Sequence, residues 1–131
     1  MENDNEPKMI IVVRKDLHMR SGKIAAQVAH AAMKFLFRAH DRGARSFTFC
    51  AKDKAEHQWI TERFKKVVVS VDSEQELRDL IAAARNVSIE VNDIVDAGLT
   101  EFHGVPTLTC AALGPDLPSR LDPLTGKLSL L

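Results

Sequence analysis

Lys23, Gln27, His30 and Lys34 recur at spacings of three and four residues, which on a helix places them along one stripe. Further on, Asp96 and Thr100 flank Gly98. A glycine there lets the backbone turn sharply with positive φ and present the carboxylate and the hydroxyl on one side. Thr109 follows inside an apolar stretch. An ammonium can stabilise a developing negative charge, a carboxylate can orient or deprotonate water, and hydroxyls bond water or a carbonyl without changing charge. An ordinary Asp titrates near ~3.9, and a neighbouring ammonium lowers it further. Lys23 is therefore expected to act electrostatically, and Asp96 to orient a water rather than serve as a strong base. A cation in the first turn of a helix is mildly disfavoured by the helix dipole, which draws further attention to Lys23.

The elements that must carry these residues are legible in outline. Residues 9 to 13 form a continuous apolar run, the pattern of a strand buried on both faces. Ser21 is placed to cap a helix running to about residue 39, with Ile24, Val28, Ala31, Phe35 and Ala39 as its core stripe. Gly43 breaks that helix, residues 46 to 50 suit a short extended piece, and Ala55, Trp59, Ile60 and Phe64 suit a second helix. A strand is expected over residues 66 to 71. Ser73 and Glu76 make a capping box that opens a helix through Leu77, Leu80, Ile81 and Ala84. Residues 88 to 94 and 107 to 113 read as two more strands. Pro115, Pro118 and Pro123 break up the C-terminus, with a turn at residues 124 to 126.

Strands separated by helices predict an α/β fold, a three-layer α/β/α sandwich. The link between the third and fourth strands is short and lacks helical periodicity, so the last strand is expected to be antiparallel in a mixed four-stranded sheet. In open α/β sheets, ligands gather beyond the carboxyl ends of the parallel strands. The loop from Arg14 to Arg20, the helix opening at Gly22 and Lys23, and the segment from Asp96 to Thr100 should meet there.

At 131 residues, one domain is expected over residues 8 to 131, preceded by a flexible tail over residues 1 to 7. The longest apolar runs fall far short of the ~20 residues of a membrane helix, and MENDNEP lacks the basic start and apolar stretch of a signal peptide. Cys50 and Cys110 are too few for a disulfide framework, so a cytoplasmic setting is expected. The five histidines (His18, His30, His40, His57 and His103) lack metal-ligand spacing, and no dinucleotide or phosphate-loop fingerprint is present. No metal and no cofactor are expected.

The formal net charge is zero, yet the signs are segregated along the chain. Lys8, Arg14, Lys15, Arg20, Lys23, Lys34, Arg38, Arg42 and Arg45 face only Asp16 and Asp41 in the same stretch. From Asp72 to Glu101, eight acidic residues stand against Arg78 and Arg85. Such separation predicts one positive face for phosphates, with Arg14, Lys15 and Arg20 as its contacts.

Four blocks, VVRKDLHMRSGKIAAQVAHAA, DAGLTEF, TLTCAALGP and LDPLTGKLSLL, occur in this order. Together the chain resembles the type II peptidyl-tRNA hydrolase family, as a bacterial member. The resemblance implies cleavage of the ester between a peptide and the 3′-terminal ribose of tRNA, with no cofactor or metal and with a homodimer as partner state. By motif, Lys23, Asp96, Thr100 and Thr109 match the family's catalytic positions, and Gln27 and His30 match polar positions of the same helix block and are expected to bind substrate. Leu99 stands where many relatives carry a polar or basic residue, and Glu101 where glutamine is common. The alternative reading is a non-catalytic RNA- or protein-binding module on the same scaffold.

Overall fold

The computed structural model describes residues 5–38 and 43–131. Strand β1 (Lys8–Arg14) is followed by a 3-10 turn (Lys15–Leu17) and helix α1 (Ser21–Lys34), which tightens into a second 3-10 turn (Phe35–Phe37). Helix α2 (Lys54–Thr61), strand β2 (Lys66–Val71), helix α3 (Glu74–Asn86), strands β3 (Val91–Asp96) and β4 (Thr107–Asp116), and helix α4 (Pro118–Thr125) complete the chain. The sheet order is β2-β1-β4-β3. β1 and β2 are parallel, and β4 runs antiparallel to both β1 and β3. The expected mixed four-stranded sheet with an antiparallel last strand is thus the observed one.

The apolar run of β1 alternates between two cores, because successive side chains of a strand point to opposite faces. Ile10 and Val12 join Val69, Val71, Leu77, Ile81 and Leu113 on the α3 and α4 side. Met9, Ile11 and Val13 join Ala31, Phe35, Trp59, Cys110 and Ala112 on the α1 and α2 side. Two filled cores flanking one sheet make the three-layer sandwich. Alanines at positions 111 and 112 of β4 leave room for the helices to approach the centre of the sheet.

The Ser73 capping box forms. Its hydroxyl accepts from the Glu76 amide at 3.1 Å, while the Glu76 carboxylate accepts from the Asp72 amide at 2.8 Å. Asp53 caps α2 by accepting from the Glu56 amide. Ser21 does not cap α1: it is the first helical residue, and Arg20 occupies the cap position without a side-chain bond. The expected end of that helix at residue 39 lies outside the described residues. Residues 46–50 are not a strand. They lie beside the Arg38 guanidinium, which donates to the Cys50 carbonyl and, at 2.7 and 2.8 Å, to both oxygens of the fully buried Glu56.

Both later strands begin or end further on than the apolar pattern indicates, since polar Asp96 and Asp116 continue the ladder. The C-terminus is also more regular than its prolines suggested. Pro118 sits at the start of α4, where its missing N–H costs nothing. Beyond α4, the Ser70 amide donates to Ser129, and the Leu131 amide to Val68, so the last residues cover the outer edge of β2. Of the expected tail, residues 1–4 lie outside the described residues, and Glu6 and Pro7 are buried, with Glu6 paired to Arg63.

Replacing Ser73 with Ala removes one N-cap acceptor. A loss of about 1 kcal/mol is expected, read from the urea midpoint with an unchanged m-value.

Candidate active site

The carboxyl ends of β1, β2 and β3 and the start of β4 lie along one edge of the sheet, as the pairing register requires. Lys23, in the first turn of α1, reaches across this edge. Its Nζ donates to Asp96 Oδ1 at the end of β3 and to Thr100 Oγ1, both at 2.9 Å. The Lys23 and Asp96 side chains keep only 14% and 16% of their exposure, so the pair sits in a half-dry recess open to solvent on one side. The Phe102 ring lies 5.6 Å from the ammonium and forms part of that wall.

Asp96 is held from three directions. Oδ1 also accepts from Gln27 Nε2 at 3.2 Å, and Oδ2 accepts from the Gly98 amide at 2.8 Å. The Lys23 hydrogen bond, aided by the Gly98 amide and opposed by partial burial, keeps this carboxyl below the ordinary aspartate range. The loop geometry depends on Gly98, whose φ is +82° and whose carbonyl accepts from the Gly104 amide at 2.8 Å. A Cβ at Gly98 would run into the backbone of Val105. The glycine therefore does what the Asp–Gly–Thr spacing suggested.

Thr109 enters the site by a different route from the one expected. The pairing of β3 with β4 slips between Ile94 and Val95, leaving Thr109 as an extra residue on β4. This bulge directs both Thr109 and Cys110 toward α1. Thr109 is fully buried and donates to Gln27 Oε1 at 2.6 Å, so it does not face a substrate. It fixes the Gln27 amide so that Nε2 is aimed at Asp96. Gln27 is itself 2% exposed, and its Nε2 donates to the Asp96 carboxylate. Cys110 donates to the Gln27 main-chain carbonyl, and burial pushes its thiol up to about 11, which leaves it an unreactive core residue.

The remaining expected contacts divide. His30 is exposed one turn beyond Gln27 and lines a separate groove with Met33, Lys34, Phe37 and Ile94. Lys15 is exposed, but it faces the β2 end of the sheet edge beside Asp72, Glu76 and Lys127. Arg20 is 84% exposed and donates to Glu101 at 2.7 Å. Arg14 is not at the surface: it is 8% exposed and spends its guanidinium on Asp16, Glu74 and the Leu108 carbonyl. A side chain neutralised inside the fold is not offered to phosphate. Phe102 is a wall residue that the sequence pattern does not reveal, because a lone phenylalanine carries no spacing signal. Among the described residues, no group of three or more His, Cys, Asp or Glu side chains is placed to hold a metal.

Fold and site together define an α/β protein with a lysine–aspartate–threonine centre beyond the sheet's carboxyl edge. Residues 7–131 match the family described as Peptidyl-tRNA hydrolase PTH2. The chain is similar to proteins named peptidyl-tRNA hydrolase from Thermoplasma acidophilum (42% identical, covering 95% of this chain and 97% of the relative) and Methanocaldococcus jannaschii (39%, 95% and 99%). A third, from Staphylothermus marinus, is 37% identical over the whole of both chains. The chain belongs to the PTH2 family. These relatives are archaeal, and the expectation of a bacterial member is not borne out.

The lowered Asp96 carboxyl makes a pH prediction. A depressed folded pKa adds stability above the unfolded value, near 3.8, that is lost as pH falls through the folded value. Lys23→Met removes the largest cause. The Asp96 carboxyl should then titrate higher by NMR, and the variant's stability deficit should be greatest at neutral pH and fade as the pH falls below the ordinary aspartate range.

Proposed function

We propose that the protein hydrolyses the ester joining a peptide, or an N-blocked amino acid, to the 3′-terminal ribose of tRNA. The observation that carries this is the convergence of the Lys23 ammonium, the Asp96 carboxylate and the Thr100 hydroxyl in one recess. The names of the relatives supply the substrate class.

The division of work follows from the bonds already made. The ammonium has three N–H donors, of which two are spent on Asp96 and Thr100, leaving one for the oxygen that becomes anionic when the ester carbonyl is attacked. Asp96 Oδ2 has accepting capacity beyond the Gly98 bond and can hold the attacking water. Because this carboxyl stays ionised, it orients the water and stabilises the charge that builds on it; the water's proton ends on the departing ribose oxygen. Thr109 and Gln27 act through Asp96, as positioning residues.

The basic contacts follow exposure. Arg20 and Lys15 are the members of the expected set available to phosphate, with Arg20 leaving Glu101 to do so. The reading includes a homodimer, on the family resemblance, and a cytoplasmic setting; no described helix is long and apolar enough to cross a membrane.

The test is release of an N-acetylaminoacyl group from tRNA by purified protein. Lys23→Ala and Asp96→Ala should each lower kcat/KM by about 100-fold or more with helical circular dichroism retained. Unimpaired cleavage by both variants would remove the site assignment, and tRNA binding without cleavage by the unmodified protein would make it a binding module. Activity should hold level down to about pH 5, since Asp96 keeps its charge there.

Binding to tRNA should weaken as salt rises. Lys15→Ala and Arg20→Ala each delete one cation from the phosphate-facing surface, and each should flatten the log–log slope by about 0.7 to 0.9. Arg14→Ala should leave the slope alone while lowering the thermal midpoint.

A further inference from the structure

Strand β3 ends at Asp96 and has β4 on one side and no other strand among the described residues on the other. The Glu90 carbonyl accepts from the Gly114 amide, so it points toward β4. Alternation along the strand then turns the main-chain groups of Val91, Asp93 and Val95 away from the sheet. The Asp93 carbonyl does point outward, where the exposed Lys34 ammonium donates to it at 2.7 Å. Beside this edge lies a groove of about 370 Å³ between α1 and β3, lined by His30, Met33, Lys34, Phe37 and Ile94. Met33 is 53% exposed and Phe37 39%, and Val95 on the edge itself is 59% exposed.

The groove continues the catalytic stripe. Lys23, Gln27, His30 and Lys34 step along one side of α1, so the path from the ester site to the groove is about 10 Å at 1.5 Å per residue. An extended chain covers that in about three residues. The substrate's two halves must leave the ester in different directions; the groove at the end of this path offers Met33, Phe37 and Ile94 as apolar contacts, while the exposed Arg20, just ahead of α1, pairs with Glu101. A peptidyl group also has no fixed sequence. Recognition that tolerates any side chain must rest on main-chain hydrogen bonds, which an open strand edge supplies, with apolar contact as a secondary aid.

Resting on the hydrolase reading, we propose that the peptide of the substrate lies extended along the open edge of β3, as an added strand ending at Asp96, with alternate side chains over the groove of His30, Met33, Phe37 and Ile94. The Asp93 carbonyl then exchanges the Lys34 ammonium for a peptide N–H. The edge is a length gauge: a peptide of three or four residues engages it fully, and a single acylated residue engages almost none of it.

The test compares N-acetylalanyl-tRNA with N-acetyltetraalanyl-tRNA, and with a depsipeptide version in which one amide N–H is replaced by an ester oxygen. The longer substrate should show a kcat/KM about tenfold higher, mainly through KM, and the depsipeptide should lose most of that gain. Met33→Asp should cut the long-to-short ratio several-fold, a ratio that cancels any loss of folded protein. A ratio independent of chain length and of the amide would overturn the proposal. So would an unchanged ratio in Met33→Asp accompanied by conversion of a dimer to a monomer in sedimentation, which would assign the groove to a second copy. Failure of the hydrolase reading looks different: neither ester is cleaved by the unmodified protein, and the gauge falls with it.

Discussion

An ammonium and a carboxylate 2.9 Å apart tie the first turn of α1 to the end of β3, two positions 73 residues apart in the chain. In a half-dry recess such a pair repays its desolvation only when the remaining donors and acceptors are also satisfied. Here Thr100 takes a second ammonium proton, Gln27 shares the same carboxylate oxygen, and the Gly98 amide takes the other. The loop after β3 is shaped by that demand. Its glycine adopts φ +82° so that an amide can face backward onto Asp96, and the Gly104 amide closes the loop on the Gly98 carbonyl.

Behind the pair stands a buried relay of orientation rather than of charge. One extra residue in β4 turns Thr109 toward α1, its hydroxyl holds the Gln27 oxygen at 2.6 Å, and the amide nitrogen of the same side chain is thereby aimed at Asp96. A strand without the bulge would put Thr109 and Cys110 on opposite faces. The defect in the ladder thus decides which way the glutamine amide lies. A carboxylate so constrained keeps its charge and its direction, which suits a reaction in which water must be placed and an anion stabilised more than a proton removed.

The charges segregated along the sequence meet in space. Arg20 pairs with Glu101, Lys23 with Asp96, Lys34 with Asp93, Arg38 with Glu90 and Arg14 with Glu74. Most of these join the basic N-terminal stretch to the acidic segment around β3, because α1 packs over that strand. The fold converts a sequence of two signs into a neutral seam, and the field available to a polyanion is narrower than the linear pattern implied.

Local chemistry accounts for what the chain determined by itself. A two-faced apolar run made β1, the Ser73 and Glu76 spacing opened α3, and a helical repeat put Lys23 and Gln27 on one stripe. The short, aperiodic link before β4 set its antiparallel direction, and the Asp–Gly–Thr spacing marked the site loop. Each of these signals lies within a few residues of its consequence. The burial of Arg14, the inward turn of Thr109 and the helix built over Pro118 and Pro123 depend on partners far away in sequence or on one slipped pair in a ladder. The same is true of the open edge beside β3, since only the strand order reveals which strand lacks a neighbour. Residue types and spacings named the groups that could do chemistry; long-range packing decided which of them face solvent, because burial and pairing are properties of the assembled layers and not of any local stretch.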